Sequence, residues 1–210
     1  AQVAYQTAYM KAHYPAEFMT AVMTADSGDT EKIAESITEC KRMGIKVLPP
    51  DVNESFGAFT VVNDRAIRFG LFSIKNLGEE IAGAVIEERK TSGPFKSFSD
   101  FLDRVHHKNL NKKSLESLIK AGALDAFGER NQMLFNMEEA LEYNKESIKS
   151  QKNQDSLFTL MQDQTSVPVL KLKETTPAAP DEKLLWEKEL LGLYVSGHPL
   201  NKFKDKLEKI

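Results

Sequence analysis

The sequence is short of several things at once, and each shortage closes a class of protein. One cysteine in 210 residues, Cys40, leaves nothing for a disulfide framework or a multi-cysteine zinc site. No uninterrupted apolar run approaches the ~20 residues of a membrane-spanning helix, so a membrane is not an expected partner. The first residues lack the basic-then-apolar order of a targeting segment. Positive charge is not in excess either: 28 Lys and Arg face 31 Asp and Glu, a net −3. That excludes a globally basic nucleic-acid coat and leaves room only for a local basic face. Signatures of chemistry are missing too. The four histidines, His13, His106, His107 and His198, lack partners at metal-ligand spacing. No Gly-Lys-Ser/Thr phosphate loop and no serine or cysteine nucleophile signature occurs.

What remains is foldable, at 41% hydrophobic and 28% charged. The expectation is a mainly α chain with a small β element. Residues 1–48 read as helices: one stops before Pro15, a second starts on it, and Asp29 or Thr30 caps a third. Ile33, Ile37 and Cys40 give that third helix an apolar face, and Gly44 ends it. The period then changes. Ile45–Leu48, Phe59–Val62 and Ala66–Phe69 predict two or three short strands, the first stopped by Pro49-Pro50. Short helices with glycine-containing turns follow to about residue 150. A longer one from about Asn131 carries Leu134, Met137, Leu141 and Ile148 inward. Two polar or proline-bearing stretches, 147–154 and 165–183, read as flexible connectors.

Three segments carry candidate chemistry. In Ile74-Lys75-Asn76-Leu77-Gly78 an apolar turn leads straight into a helix whose buried face would be Ile81, Ala82, Val85 and Ile86. This is the pattern of a helix-hairpin-helix. Asn76 tolerates the left-handed region such a turn needs, and Gly78 lets a ligand approach the backbone. The amides opening that helix would meet phosphate oxygens, which makes Lys75, Asn76, Leu77 and Gly78 candidate DNA contacts. Glu79 and Glu80 argue against it, and an ordinary helical hairpin is the other reading. Ala121-Gly122-Ala123-Leu124 offers a second tight turn, beside the one basic patch: Arg104, Lys108, Lys112, Lys113 and Lys120 against a single acid, Glu116. Lys108, Lys112, Lys113, Lys120 and Gly122 are therefore candidate DNA contacts; a solvated helical face is the alternative. Third, Leu157 and Phe158 stand in a polar connector after Gln154, an arrangement suited to docking in a partner's apolar pocket. A short helix folding back on its own domain would use them otherwise.

Beyond these patterns, Tyr5-Gln6-Thr7, Lys11 to Met19, Val47 to Asn53, Gly192-Leu193-Tyr194 and Gly197-His198-Pro199 resemble the bacterial family-C replicative DNA polymerases, the DNA polymerase III alpha subunits. The resemblance runs over essentially the whole chain. It implies a late fingers segment at 1–70 and a tandem helix-hairpin-helix module gripping duplex DNA at 71–150. A linker at 151–183 would hold the family's internal sliding-clamp motif, Gln-x-x-Leu-Phe, matched by Gln154, Leu157 and Phe158. Residues 184–210 would approach an OB-fold region. The implied partners are double-stranded DNA, the sliding clamp and other replicase subunits, in the cytoplasm. Family members join nucleotides with two divalent ions, of the magnesium kind, held by palm aspartates. No part of this chain aligns with the palm, so the expectation is a fragment without a cofactor of its own and inactive alone. Asn76 departs from the glycine usual in such hairpins. A free-standing helix-hairpin-helix DNA-binding protein, or a helical scaffold, is the competing expectation.

Overall fold

The computed structural model describes residues 2–154, 170–197 and 199. Three helices open the chain. α1 (Gln2–His13) buries none of its residues, and Val3 and Tyr5 are each 71% exposed. Pro15 is the first residue of α2 (Pro15–Ala25), where its missing amide costs nothing. Asp29 caps α3 (Thr30–Arg42), accepting from the amides of Glu31 and Lys32. Ile33, Ile37 and Cys40 turn inward as the spacing predicts. Burial raises the Cys40 thiol to about 11, so it stays a neutral apolar side chain at physiological pH. Gly44, at φ +74°, ends the helix: its amide reaches Lys41 O and the Ile45 amide reaches Cys40 O.

A small sheet follows, of β1 (Lys46–Leu48), β2 (Thr60–Asn63) and β3 (Ala66–Arg68), in the order β1-β3-β2. β1 lies parallel to β3, with Val47 opposite Ile67; β2 lies antiparallel, with a register shift between Val61 and Asn63. Pro49 and Pro50 follow the edge strand β1, where a lost ladder donor is tolerated. Phe59 and Phe69 pack ring to ring at 4.7 Å beneath this sheet.

After a 3-10 turn at Leu71–Ser73 come α4 (Glu79–Ser92), α5 (Phe98–Arg104) and α6 (Lys112–Lys120). Ser97 caps α5 by accepting from the Asp100 amide. A second 3-10 turn, Asp125–Phe127, leads into α7 (Arg130–Phe135) and α8 (Met137–Gln154). The single long helix predicted from about Asn131 is thus broken at Asn136. Met133, Met137, Ala140 and Tyr143 supply its buried face, while Leu134, Leu141 and Ile148 are only half-buried.

Asn136 explains the break. It is fully buried, and its Nδ2 donates to Lys173 O while its Oδ1 accepts from the Lys173 amide. Its Nδ2 also donates to Gln132 O at 2.8 Å, so the side chain shares the carbonyl that its own amide reaches at 3.2 Å and weakens the helical bond at that turn. The proline-bearing stretch read as a connector has no helix or strand over 170–179. Side chains hold it nevertheless: Glu129 accepts from the Ala178 amide at 3.1 Å, and Asn131 donates to Thr176 O at 2.7 Å. Leu170 and Leu172 rest against the core. Replacing Asn136 with alanine should cost about 1–3 kcal/mol, since it orphans two backbone groups. Proteolysis near Lys171 and Lys173 should accelerate; an unchanged cleavage rate would show that the strap is held elsewhere.

α9 (Pro180–Leu191) closes the described chain and buries Leu184, Glu187, Leu190 and Leu191. One buried cluster runs from Ala16 to Leu193, linking α2, α3, the sheet and every later helix. None of the described helices is long and apolar enough to cross a membrane.

Candidate nucleic-acid interface

The turn before α4 is built as its residue types require. Ile74 and Leu77 are buried and anchor it, while Lys75, Asn76 and Gly78 are exposed between and after them. Asn76 has φ +65°, the one positive φ outside glycine among the described residues, and Gly78 follows at +74°. Here the left-handed geometry is real, and asparagine carries it at a smaller penalty than other side chains. Gly78 is the N-cap of α4, and no side chain caps the amides that follow. A Cβ built on Gly78 would meet nothing within 4 Å, so the approach to this backbone is open. Ile81, Ala82, Val85 and Ile86 are buried, while Gly78, Glu79 and Glu80 at the helix start are exposed. The amides of Lys75 and Leu77 are taken, donating to Leu190 O at 3.0 Å and to Ile74 O at 3.3 Å.

α6 begins differently. Asn111 Oδ1 accepts from the amides of Lys113 and Ser114, and Ser114 Oγ accepts from the Asn111 amide. This capping box uses up the donors that α4 leaves free. α6 therefore offers side chains, Lys112 and Lys113, where α4 offers main chain. The two starts are neighbours: Asn109, in the loop between α5 and α6, donates from Nδ2 to Glu80 Oε2 at 2.7 Å. His107 steadies this loop by accepting the Asn109 amide on Nδ1.

The cations differ in freedom. Lys75, Lys108 and Lys113 make no ion pair among the described residues. Lys112 pairs with Glu138 at 3.1 Å, but both side chains are more than half exposed, so the pair contributes little and breaks easily. Arg104, counted in the basic patch, is spent on Glu88, Asp100 and the carbonyls of Gly93 and Pro94.

The structure separates Lys120 and Gly122 from the rest. They lie at the far end of α6, roughly 12 Å from Lys112 at 1.5 Å per residue. Lys120 bonds Glu116 and stands 5.9 Å from the Trp186 ring. Gly122, φ +82°, ends α6 with its own amide on Ile119 O and the Ala123 amide on Leu118 O. Arg130 lies over it, and a Cβ there would collide with the guanidinium. This tight turn thus faces the interior. The loop that stands next to the first turn is 105–111, whose Asn109 and Asn111 composition and spacing did not single out. The Asn111-x-x-Ser114 spacing was the available signal.

Beneath that end of α6 lies a charge network in which Arg130 and Glu187 are buried and Asp125 is half-exposed. Arg130 donates to both oxygens of Asp125, to Lys120 O at 3.0 Å and to Glu187 Oε1 at 3.3 Å. Glu187 Oε2 accepts from the amides of Val195 and Ser196 and from Ser196 Oγ. Burial works against the guanidinium charge, but Asp125 and Glu187 outweigh it and raise its pKa further. No three His, Cys, Asp or Glu side chains converge as a metal site among the described residues. Gln154 ends α8; Leu157 and Phe158 lie outside the described residues.

A left-handed turn opening an uncapped helix, with a lysine-bearing helix start bonded beside it, is helix-hairpin-helix architecture. The family described as Helix-hairpin-helix motif matches residues 44–134. Along almost its entire length the chain is also similar to DNA polymerase III subunit alpha. It is 45% identical to that of Thermus aquaticus over 201 residues, covering 96% of this chain and 16% of the relative. With that of Deinococcus radiodurans it shares 42% identity over 94% of this chain and 15% of the relative. With that of Escherichia coli K12 it shares 39% over 100% of this chain and 18% of the relative. The chain thus corresponds to a stretch of these bacterial polymerase subunits and spans roughly one sixth of their length.

Proposed function

We propose that this chain is the duplex-holding part of a replicative DNA-directed DNA polymerase. The observation that carries the reading is the turn Asn76–Gly78, exposed at Asn76 and Gly78, opening an uncapped helix beside exposed lysines. Main-chain amides at α4 and the ammonium groups of Lys75, Lys108, Lys112 and Lys113 would take adjacent phosphates. Neither kind of contact reads a base, so the grip suits an enzyme that moves along DNA of any sequence. With Glu79, Glu80 and Glu138 close by, the grip is weak enough to slide. Titration of a labelled duplex should give dissociation constants of ~10⁻⁴–10⁻⁶ M, alike for unrelated sequences and loosening steeply with salt. Absence of any salt-dependent shift would favour a helical scaffold instead.

In this reading Gln154, Leu157 and Phe158 dock the sliding clamp, which holds the weak grip on DNA by tethering rather than by affinity. Changing Leu157 and Phe158 together to alanine should abolish clamp binding in a calorimetric titration while duplex affinity is unchanged. Clamp affinity kept within a factor of two would remove the motif from the interface. Nucleotide joining and its pair of divalent ions belong, in the same reading, to palm carboxylates for which this chain offers no counterpart, and the partners are those of a cytoplasmic replicase.

A further inference from the structure

A cavity of about 320 Å³ opens beside the first hairpin, between the turn joining α2 to α3 and the 3-10 turn before the hairpin. Its lining includes Ser27, Gly28, Phe72, Ser73, Lys75 and Glu79. Phe72 is 45% exposed, as Phe56 and Phe135 are also exposed, while Phe59, Phe69, Phe95, Phe98 and Phe101 are buried. The backbone holds it out. Its amide donates to Gly57 O at 2.9 Å, and the Leu71 amide donates to Phe56 O at 2.8 Å. Its ring lies against Gly57, where a Cβ would collide with ring atoms. Gly70 in turn lets the backbone at 57–58 come close; a Cβ there would strike it. Two glycines thus seat an aromatic ring at the surface, an arrangement that adds little to folding.

The polar groups around the ring are unspent. Among the described residues the hydroxyls of Ser27 and Ser73, the Glu79 carboxylate and the Lys75 ammonium have no hydrogen-bonding or ion-pair partner. An aromatic face, a carboxylate acceptor, two hydroxyls and a cation in a space this small match one nucleotide. A base stacks on the ring, its exocyclic amine donates to the carboxylate, and its phosphate meets the cation. We propose that this cavity takes a single unpaired nucleotide flanking the duplex, its base on Phe72, its amino group on Glu79 and its phosphate on Lys75. The inference rests on the duplex-holding reading and extends it: the hairpin would grip double-stranded DNA while the cavity marks where pairing ends. It also gives Glu79 a use at a helix start where a carboxylate would otherwise repel phosphate.

The test compares three probes on the 210-residue chain: a blunt duplex, the same duplex with one overhanging deoxyadenosine, and one with an abasic overhang. The deoxyadenosine should tighten binding about fivefold to tenfold, and the abasic overhang should not. Phe72→Ala should erase the gain and leave the blunt affinity unchanged, while Phe72→Trp should keep it. Gly57→Ala, which displaces the ring without touching a polar group, should reduce the gain. An abasic overhang as good as deoxyadenosine, or a gain that survives Phe72→Ala, overturns the proposal. Blunt binding with no overhang gain sinks this inference alone. Failure to bind all three probes sinks the duplex reading with it.

Discussion

Arg130→Met should lower the unfolding free energy by about 3–5 kcal/mol, the largest loss expected from any single change at an ion pair in this chain. The Arg130 side chain is 4% exposed and Glu187 is 0% exposed, so removal of the guanidinium strands a carboxylate that water cannot reach. Three groups lose their donor together: Asp125, Glu187 and the last carbonyl of α6. The amides of Val195 and Ser196 still serve one Glu187 oxygen, which is why the loss stays within the range of a broken buried pair. Pairing the change with Glu187→Leu should recover much of it, because two apolar side chains leave no charge to desolvate. Urea unfolding followed by circular dichroism measures both. A loss below about 1 kcal/mol for the single change would mean that the network is not holding α9 against α6.

Reversing Lys108, Lys112 and Lys113 together to glutamate should weaken duplex binding at least about tenfold at low salt, on every sequence alike. If all three meet phosphate, the slope of log affinity against log salt should fall by about 0.9 for each phosphate no longer neutralised. The fold should survive. All three side chains are exposed, and the one ion pair broken, Lys112 with Glu138, lies at the surface. In the proposed grip the main-chain amides at the start of α4 are untouched, so binding should weaken and not vanish. Lys120→Glu makes the matched comparison: it lies at the other end of α6, bonded to Glu116 beside Trp186, and should leave the salt slope nearly unchanged. An unaltered affinity and slope in the triple variant would take this face out of the interface.

How much of the fold is legible in the sequence differs from element to element. A cap at Asp29 or Thr30, Gly44 as a stop and the Ile33–Ile37–Cys40 stripe all follow from spacing alone, because each acts within one or two helical turns. The left-handed Asn76 is legible for the same reason: a turn of that length has few backbone solutions. The break at Asn136 is not, since the buried asparagine there is held by Lys173, which lies 37 residues on. The basic patch reads as one unit from its density along the chain. Folding divides it, because Lys112 and Lys120 stand at opposite ends of one helix and Arg104 is consumed by its own neighbours.

Local order therefore settles a mainly helical chain with a small sheet, a left-handed turn at Asn76–Gly78 and the capped helices around it. These depend on dihedral preferences and on apolar spacing within a few residues. Long-range packing settles what those parts face. It puts loop 105–111 beside the hairpin, turns Gly122 inward beneath Arg130, draws Glu187 across 57 residues to meet that arginine, and leaves Phe72 in the open. Which side of a turn meets water depends on what the rest of the chain stacks against it, and no window of neighbouring residues contains that.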